Sequence, residues 1–244
     1  MSAMFGVFRR EFASYFATPV AYVFIVIFLL LSGALTFYMG DFYERGQADL
    51  QPFFQFQPWL YLFLVPAVAM RLWAEERKSG TIELLLTLPV TMTQAVLGKF
   101  LAAWAFVAIA LALTFPIWLT ANYLGQPDNG AILAGYLGSL LMAGAFLAIG
   151  SCLSATTRSQ IVAFILTVTT CFLFLLAGFP LVLNFFRSFL PQALVDGIAS
   201  LSFLAHFAAI AKGVLDLRDL LFFALVIGFW LYAGALLLDL KKAD

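Results

Sequence analysis

The chain has 244 residues and a formal net charge of zero, 13 Lys and Arg against 13 Asp and Glu. Hydrophobic residues make up 64%, aromatic residues 17% and charged residues only 11%, with a mean hydropathy of +1.02. A soluble domain carries about a quarter charged residues; too few polar groups remain here to cover a water-facing surface, so a soluble fold is excluded and the chain reads as an integral membrane protein.

The first stretch, MFGVFRREFASYFATP, sets Phe5, Phe8, Phe12 and Phe16 at three- and four-residue spacing, with Arg9, Arg10 and Glu11 mostly on the other side. Such a stripe predicts a helix lying in the membrane interface and ending at Pro19; the alternative is a plain extension of the first span. Broken by three charges before any long apolar run, this stretch does not read as a cleaved signal peptide.

A spanning helix needs about 20 mostly apolar residues. Residues 20–39, 100–119, 132–153, 161–183 and 220–238 meet that requirement. A sixth run, residues 59–73, is short and contains Pro66; it crosses only if Arg71 snorkels to the headgroups and its Trp residues sit in the interfaces. No alternating strand pattern is present, so a barrel is excluded. The expectation is an all-α membrane protein of six spans, residues 1–244 forming one transmembrane domain. The connections 40–58 and 122–130 are short loops on one side. Residues 184–219 are apolar in texture but interrupted by Pro191, Asp196, Gly197, His206 and Lys212, which predicts a re-entrant or interfacial helix pair before the last span.

Orientation follows from Lys and Arg in the connections. With the N-terminus inside, Arg9, Arg10, Arg71, Arg77, Lys78, Lys99, Arg158, Lys241 and Lys242 face the cytoplasm, against Arg45, Arg187, Lys212 and Arg218 outside. Both termini are therefore expected in the cytoplasm.

Catalytic constellations are scarce. One His rules out a His-based metal cluster, and there is no GxxxxGK[ST], GxSxG or HExxH. No cofactor, metal or nucleic-acid partner is expected for this chain. The central parts of the six spans hold no Asp, Glu, Lys or Arg, which argues against a secondary transporter driven by protons or sodium. Cys152 and Cys171 read as buried hydrophobes. His206 reads as a histidine bonded to local backbone, with Ser202 four residues before it. The small residues Gly144, Ala148 and Cys152, and Ser139 with Ala143, permit close helix contact, either within the chain or at a subunit seam. The abundance of Phe reads as lipid contact.

Charge gathers instead in AEERKSGTIELLLTLPVTMTQAVLGK, between the second and third spans. Glu75 and Glu76 leave the second span, Ser79 and Gly80 make a turn, and residues 81–88 form a short helix. Thr81 caps it, Glu83 lies in its first turn and Pro89 ends it. Leucines flanked by charges fit either docking into a groove of a cytoplasmic partner or folding back on the membrane surface.

The run Glu75 to Val90, EERKSGTIELLLTLPV, resembles the signature loop of the type-two ATP-binding-cassette export permeases, including those related to gliding motility and nitrous-oxide-reductase maturation. Thr93 to Lys99, TQAVLGK, is similar to that family's lead into the third span, and Ser202 to Asp219, SFLAHFAAIAKGVLDLRD, to the gliding-motility branch. The resemblance implies a multi-pass permease of a bacterial inner membrane that contacts lipid and works as half of a dimer. Its second permease is identical or distinct, with a large extracytoplasmic domain in some partners; this chain has none. Two cytoplasmic ATPase subunits would bind the ATP and Mg. Residues 81–88 would be the coupling helix: Glu75, Glu76, Arg77 and Glu83 set its orientation on the ATPase, Leu84, Leu85 and Leu86 give apolar contact, and Gly80, Thr81 and Pro89 bound it. Two other functions stay open: an ATPase-driven scaffold that moves an extracytoplasmic partner but no solute, and a lipid-active membrane enzyme, for which His206, Asp216, Arg218 and Asp219 are the only cluster.

Overall fold

A computed structural model describes residues 3–80, 91–188 and 190–240, and every regular element within them is a helix. In chain order these are α1 (Ala3–Phe16), α2 (Pro19–Ala34, running on through the π-helical Leu35–Met39), α3 (Gln51–Ala69), α4 (Arg71–Ser79), α5 (Met92–Ala112) and α6 (Phe115–Leu124). They continue with α7 (Asn129–Ser154), α8 (Gln160–Leu176), α9 (Pro180–Arg187), α10 (Gln192–Ser200), α11 (Phe203–Ala211) and α12 (Leu217–Leu240).

The starts follow from local chemistry. Proline, which lacks the N–H a first turn leaves unpaired, opens α2 and α9. Thr91 and Gln94 form a reciprocal capping box on α5, Asp128 accepts from two backbone N–H groups of α7, and Ser159 and Ser202 cap α8 and α11. In an apolar surrounding these side chains replace the water that would otherwise satisfy the free donors.

Five stretches are long and apolar enough to cross a membrane: Pro19–Met39, Gln51–Ser79, Met92–Leu124, Asn129–Ser154 and Leu217–Leu240. Two further pairs qualify only together, Gln160–Leu176 with Pro180–Arg187, bent by 76°, and Gln192–Ser200 with Phe203–Ala211, bent by 56°. The chain is thus a multi-pass membrane protein with five to seven candidate spans. Several expected boundaries shift. The short sixth run is part of a helix that begins at Gln51, eight residues earlier, and absorbs Pro58 and Pro66; the connection expected over 40–58 is therefore half helix. The run 100–119 breaks at Leu113 and Thr114, where Pro116 has no N–H to give the carbonyl four residues back and crowds it, and 161–183 breaks at Ala177 to Phe179, where Phe179, ahead of Pro180, is extended. The first helix stops at Phe16, and Pro19 begins the next one instead of ending it.

α7 is the central helix, touching α3, α4, α5, α8, α11 and α12. Its small residues let those neighbours approach. A Cβ on Gly135 would meet the Phe54 ring, one on Gly144 would meet Trp104 and Ile227, and Cys152 backs onto Gly234. The small-residue spacing therefore serves packing within the chain. Phe54 at Gly135 and Ala69 at Gly150 fix α3 and α7 side by side, running the same way in one register. Phenylalanine is core as well as lipid contact: Phe28, Phe53, Phe106, Phe146, Phe203 and Phe223 are fully buried. Cys152 and Cys171 are buried and unpaired to each other.

Candidate functional site

The charges that the sequence gathers after the second span begin on α4. Arg71 and Glu75, one turn apart, pair at 3.1 Å on its exposed face, while Leu72, Trp73 and Ala74 are buried. The chain breaks at Met70 between α3 and α4, which leaves the first-turn N–H groups of α4 without helical partners. The Ser154 hydroxyl, from the last residue of α7, fills that gap. It accepts from the backbone N–H of Trp73 at 3.1 Å and of Ala74 at 3.0 Å and donates to the Met70 carbonyl at 2.9 Å. One turn earlier on α7, Ser151 accepts from the Trp73 indole N–H at 3.1 Å. Arg77 donates to the carbonyl of Ala155, at the C-terminal end of α7, where the helix dipole favours a cation. Ser154→Ala leaves two buried N–H donors and a carbonyl unpaired, so a loss of about 1–3 kcal/mol is expected, measured as a lowered thermal midpoint of the detergent-solubilised chain.

On the other side of α4, Glu76 meets Lys99 from the second turn of α5. Lys99 Nζ lies 2.8 Å from Glu76 Oε1 and 3.2 Å from Glu11 Oε1 of α1, and 5.2 Å from the centre of the Trp73 ring. Its side chain is only 3% exposed, those of Glu11 and Glu76 18% and 20%. Glu11 also accepts from Arg10 at 2.9 Å. One ammonium thus ties α1, α4 and α5 together. Beside it a small polar cleft is lined by Glu11, Ser14, Tyr15, Arg71 and Glu75. α1 lies along α5 through Val7, which abuts Gly98, and through Tyr15, stacked on Phe106 at 5.0 Å; its Phe5, Phe8 and Phe12 rings stack in a row, with Phe5 and Phe8 bordering a cavity against Leu101 and Trp104 of α5.

Gly80 ends α4 in the left-handed conformation, φ 74°, the usual cap where a Cβ would be strained. Of the residues the sequence singles out, Glu75, Glu76, Arg77 and Gly80 are placed here. Thr81, Glu83, Leu84, Leu85, Leu86 and Pro89, and with them the expected helix 81–88, lie outside the described residues. Glu76 and Arg77 face inward, to Lys99 and to the end of α7. Sequence reasoning passed over Glu11, Lys99, Trp73, Ser151 and Ser154. The available signal was scarcity: in a chain with 11% charged residues, an acid on the first helix and a lysine leading into an apolar helix each need a partner.

The second cluster also comes together in part. His206 Nδ1 lies 2.5 Å from Asp219 Oδ1 and Nε2 2.9 Å from the Ser200 carbonyl, with the ring stacked on Phe222 at 4.0 Å. The local backbone contact is as expected; the carboxylate is an addition. Asp216 instead accepts from the Arg218 backbone N–H, so the four residues do not form one site. No group of three or more His, Cys, Asp and Glu suited to a metal occurs among the described residues.

Around α4, four helices are held together, α1 and α5 by a desolvated ion network and α7 by hydroxyl staples. A family model described as ABC-2 family transporter protein matches residues 6–228. No curated protein matches the chain.

Proposed function

Because the chain belongs to the ABC-2 family of transporter proteins, we propose that it is the membrane permease subunit of an ATP-binding-cassette transporter, moved by a separate cytoplasmic ATPase that binds the ATP and Mg. The observation that carries this reading is the way α4 is held. Its far end, at Gly80, leads directly into the leucine-rich segment 81–88, and its body is fastened on one side to α7 and on the other to α5 and α1. A segment gripped by an ATPase would therefore push three other helices through one short lever. Packed, bistable interfaces pass on such rigid-body shifts where a flexible loop would absorb them.

In this reading Leu84, Leu85 and Leu86 supply apolar contact to the ATPase and Glu83 sets register. Glu76 and Arg77, which the resemblance would place on the ATPase, anchor the lever to the bundle. Glu75, exposed beside Arg71, is left to face the partner. Both termini and the 81–88 segment lie in the cytoplasm, six spans cross a bacterial inner membrane, residues 192–211 re-enter it, and two ATPases serve a pair of permeases, this chain with a copy or with a distinct subunit. The likeness of the Ser202–Asp219 run to the gliding-motility branch supports assigning the chain to that branch. Gly80→Val together with Glu83→Lys is expected to release the ATPase while the permease still inserts. Affinity purification of the co-expressed complex, with its ATPase turnover, measures this; undiminished co-purification and turnover reject the reading. Flux of a solute through the intact complex separates a transporter from an ATPase-driven scaffold.

A further inference from the structure

From the His206 contacts we infer that His206 and Asp219 form a proton-binding latch within the membrane-spanning part of the bundle, closing the α10–α11 re-entrant pair onto α12. Both ring nitrogens of His206 face acceptors, the Asp219 carboxylate oxygen and the Ser200 carbonyl. A neutral imidazole carries one N–H and one lone pair. Satisfying both contacts takes two hydrogens between the two side chains: an imidazolium with a carboxylate, or a neutral ring with a protonated Asp219. Either way the pair holds one proton more than a neutral His beside an ionised Asp, and is net neutral.

The position makes that count matter. Ile210 packs on Gly138 and Phe203 on Phe146, so His206 lies between those levels of α7. That is about 13 residues from its start at Asn129, roughly 20 Å at about 1.5 Å per residue. His206 and Asp219 are each 8% exposed. A net charge at that depth is costly, and ionisable groups inside a span are usually paired and functional. Phe222 covers one face of the ring, and Phe203 packs against both Phe222 and Phe223.

Losing the proton to water leaves a net charge of minus one and one of two mismatches. With hydrogen on Nε2, the Nδ1 lone pair faces the Asp219 carboxylate; with hydrogen on Nδ1, the Nε2 lone pair faces the Ser200 carbonyl. Neither tautomer keeps both contacts: hydrogen on Nδ1 retains Asp219 and frees the end of α10, and hydrogen on Nε2 retains Ser200 and frees the start of α12. Asp219 lies in the first turn of α12, where the helix N-terminus offsets part of that charge; among the described residues no Lys or Arg side chain pairs with it. On the elements packed around the pair, the charged residues are Lys212 at the end of α11, Asp196 on α10, Asp216 and Arg218 beside Asp219, and Asp239 at the far end of α12. Asp196 bonds Gln192, the Asp216 side chain bonds the Arg218 backbone N–H while its carbonyl accepts from the Asp219 backbone N–H, and among the described residues none of these side chains bonds the His206 or Asp219 side chain. α3, α7 and α8 face the pair with no Lys, Arg, Asp or Glu; their ionisable groups are Tyr61, Tyr136, Cys152 and Cys171, and the Tyr136 hydroxyl is engaged with Thr114.

The chain holds a single His, so 15N-imidazole labelling of the full chain, purified without a histidine tag and reconstituted in lipid nanodiscs, reports His206 alone. The latch predicts that the ring and Asp219 together carry two hydrogens at low pH and lose one as pH rises. In the same step the distance between spin labels on Gly197→Cys and Arg218→Cys, in a background with Cys152 and Cys171 replaced, lengthens. His206→Phe, which keeps an aromatic ring against Phe222 but binds no proton, is expected to abolish the pH dependence of that distance. A neutral ring beside an ionised Asp219 with the labels still close, or a proton lost with no change in distance, overturns the inference. So does a His206→Phe chain in which the distance still changes with pH as in the parent.

Discussion

Lys99→Met is expected to be the most damaging single substitution at the α4 end of the bundle. It removes the one cation shared by Glu11 and Glu76 and leaves two carboxylates, each about four-fifths covered, facing each other across a buried space. Breaking a buried ion pair by deleting one partner costs about 3–5 kcal/mol; the partial exposure of the acids puts this case near the lower figure. Arg10 remains beside Glu11 but is itself 55% exposed, so it screens only that acid. The expected result is a lowered thermal midpoint and loss of most ATPase-coupled activity. The triple variant Lys99→Met, Glu11→Gln, Glu76→Gln separates the two effects. With no unpaired charge left, stability should return to within about 1 kcal/mol of the parent, since a buried ionic triad can often be replaced at little cost. If the triad transmits motion, coupling stays impaired in that stable variant. Full recovery of coupling would make the network a structural element only. Screening adds a further check, because desolvated pairs respond little to salt: raising ionic strength should leave the parent's midpoint nearly unchanged.

How far the sequence foretells this arrangement depends on which kind of signal each part carries. Apolar runs of about 20 residues report burial in lipid directly, so α2, α7 and α12 fall close to where hydropathy puts them. Broken spans are harder. Pro58 and Pro66 look like breaks but sit inside α3, while Pro116 and Pro180 do start new helices. The difference lies in neighbours: α3 packs along α7 and tolerates its lost hydrogen bonds, and a residue string does not show that. Gly80 was legible as a turn, because a Ser-Gly pair after a charged helix has little else to do. Lys99 was not, because counting it as one more cytoplasmic charge satisfied the orientation rule and hid the question of its partner. Glu11 is hidden differently, as one of the charges on the side of the first helix opposite its Phe stripe. Ser151 and Ser154 carry no signal of their own; they matter only because the α3–α7 register sets them opposite the break at Met70. His206 and Asp219, thirteen residues apart, were considered together only as part of a charged patch, and their pairing depends on the turn between α11 and α12.

Gly150→Leu tests that register. A Cβ at this position would lie 2.4 Å from the Ala69 Cβ and 3.0 Å from the Thr167 Cγ2, and a leucine has more atoms to place than a Cβ. Ala69 is the last residue of α3, immediately before the break, and is fully buried; it has no flexible side chain to swing aside, so the helix axes themselves must part. Inserting carbons into a packed core costs about 1–3 kcal/mol, and a clash of backbone-borne atoms on two sides puts this substitution at the upper end. The consequence for function is distinct from the loss of stability. Gly150 lies one turn from Ser154, so parting α3 from α7 there also pulls the Ser154 hydroxyl away from the Trp73 and Ala74 N–H groups. Gly150→Leu should therefore lower the melting midpoint and shift the tryptophan fluorescence, and it should weaken coupling to the ATPase further than a core substitution of similar cost away from α4, such as Leu231→Ala on α12, which is 8% exposed in the parent. Ala69→Gly in the Gly150→Ala background is the compensating pair: it removes the Cβ opposite the one added, and it should restore both the midpoint and the coupling lost in Gly150→Ala alone. If Gly150→Ala by itself leaves midpoint and coupling unchanged, the close α3–α7 contact is not what holds the lever in place.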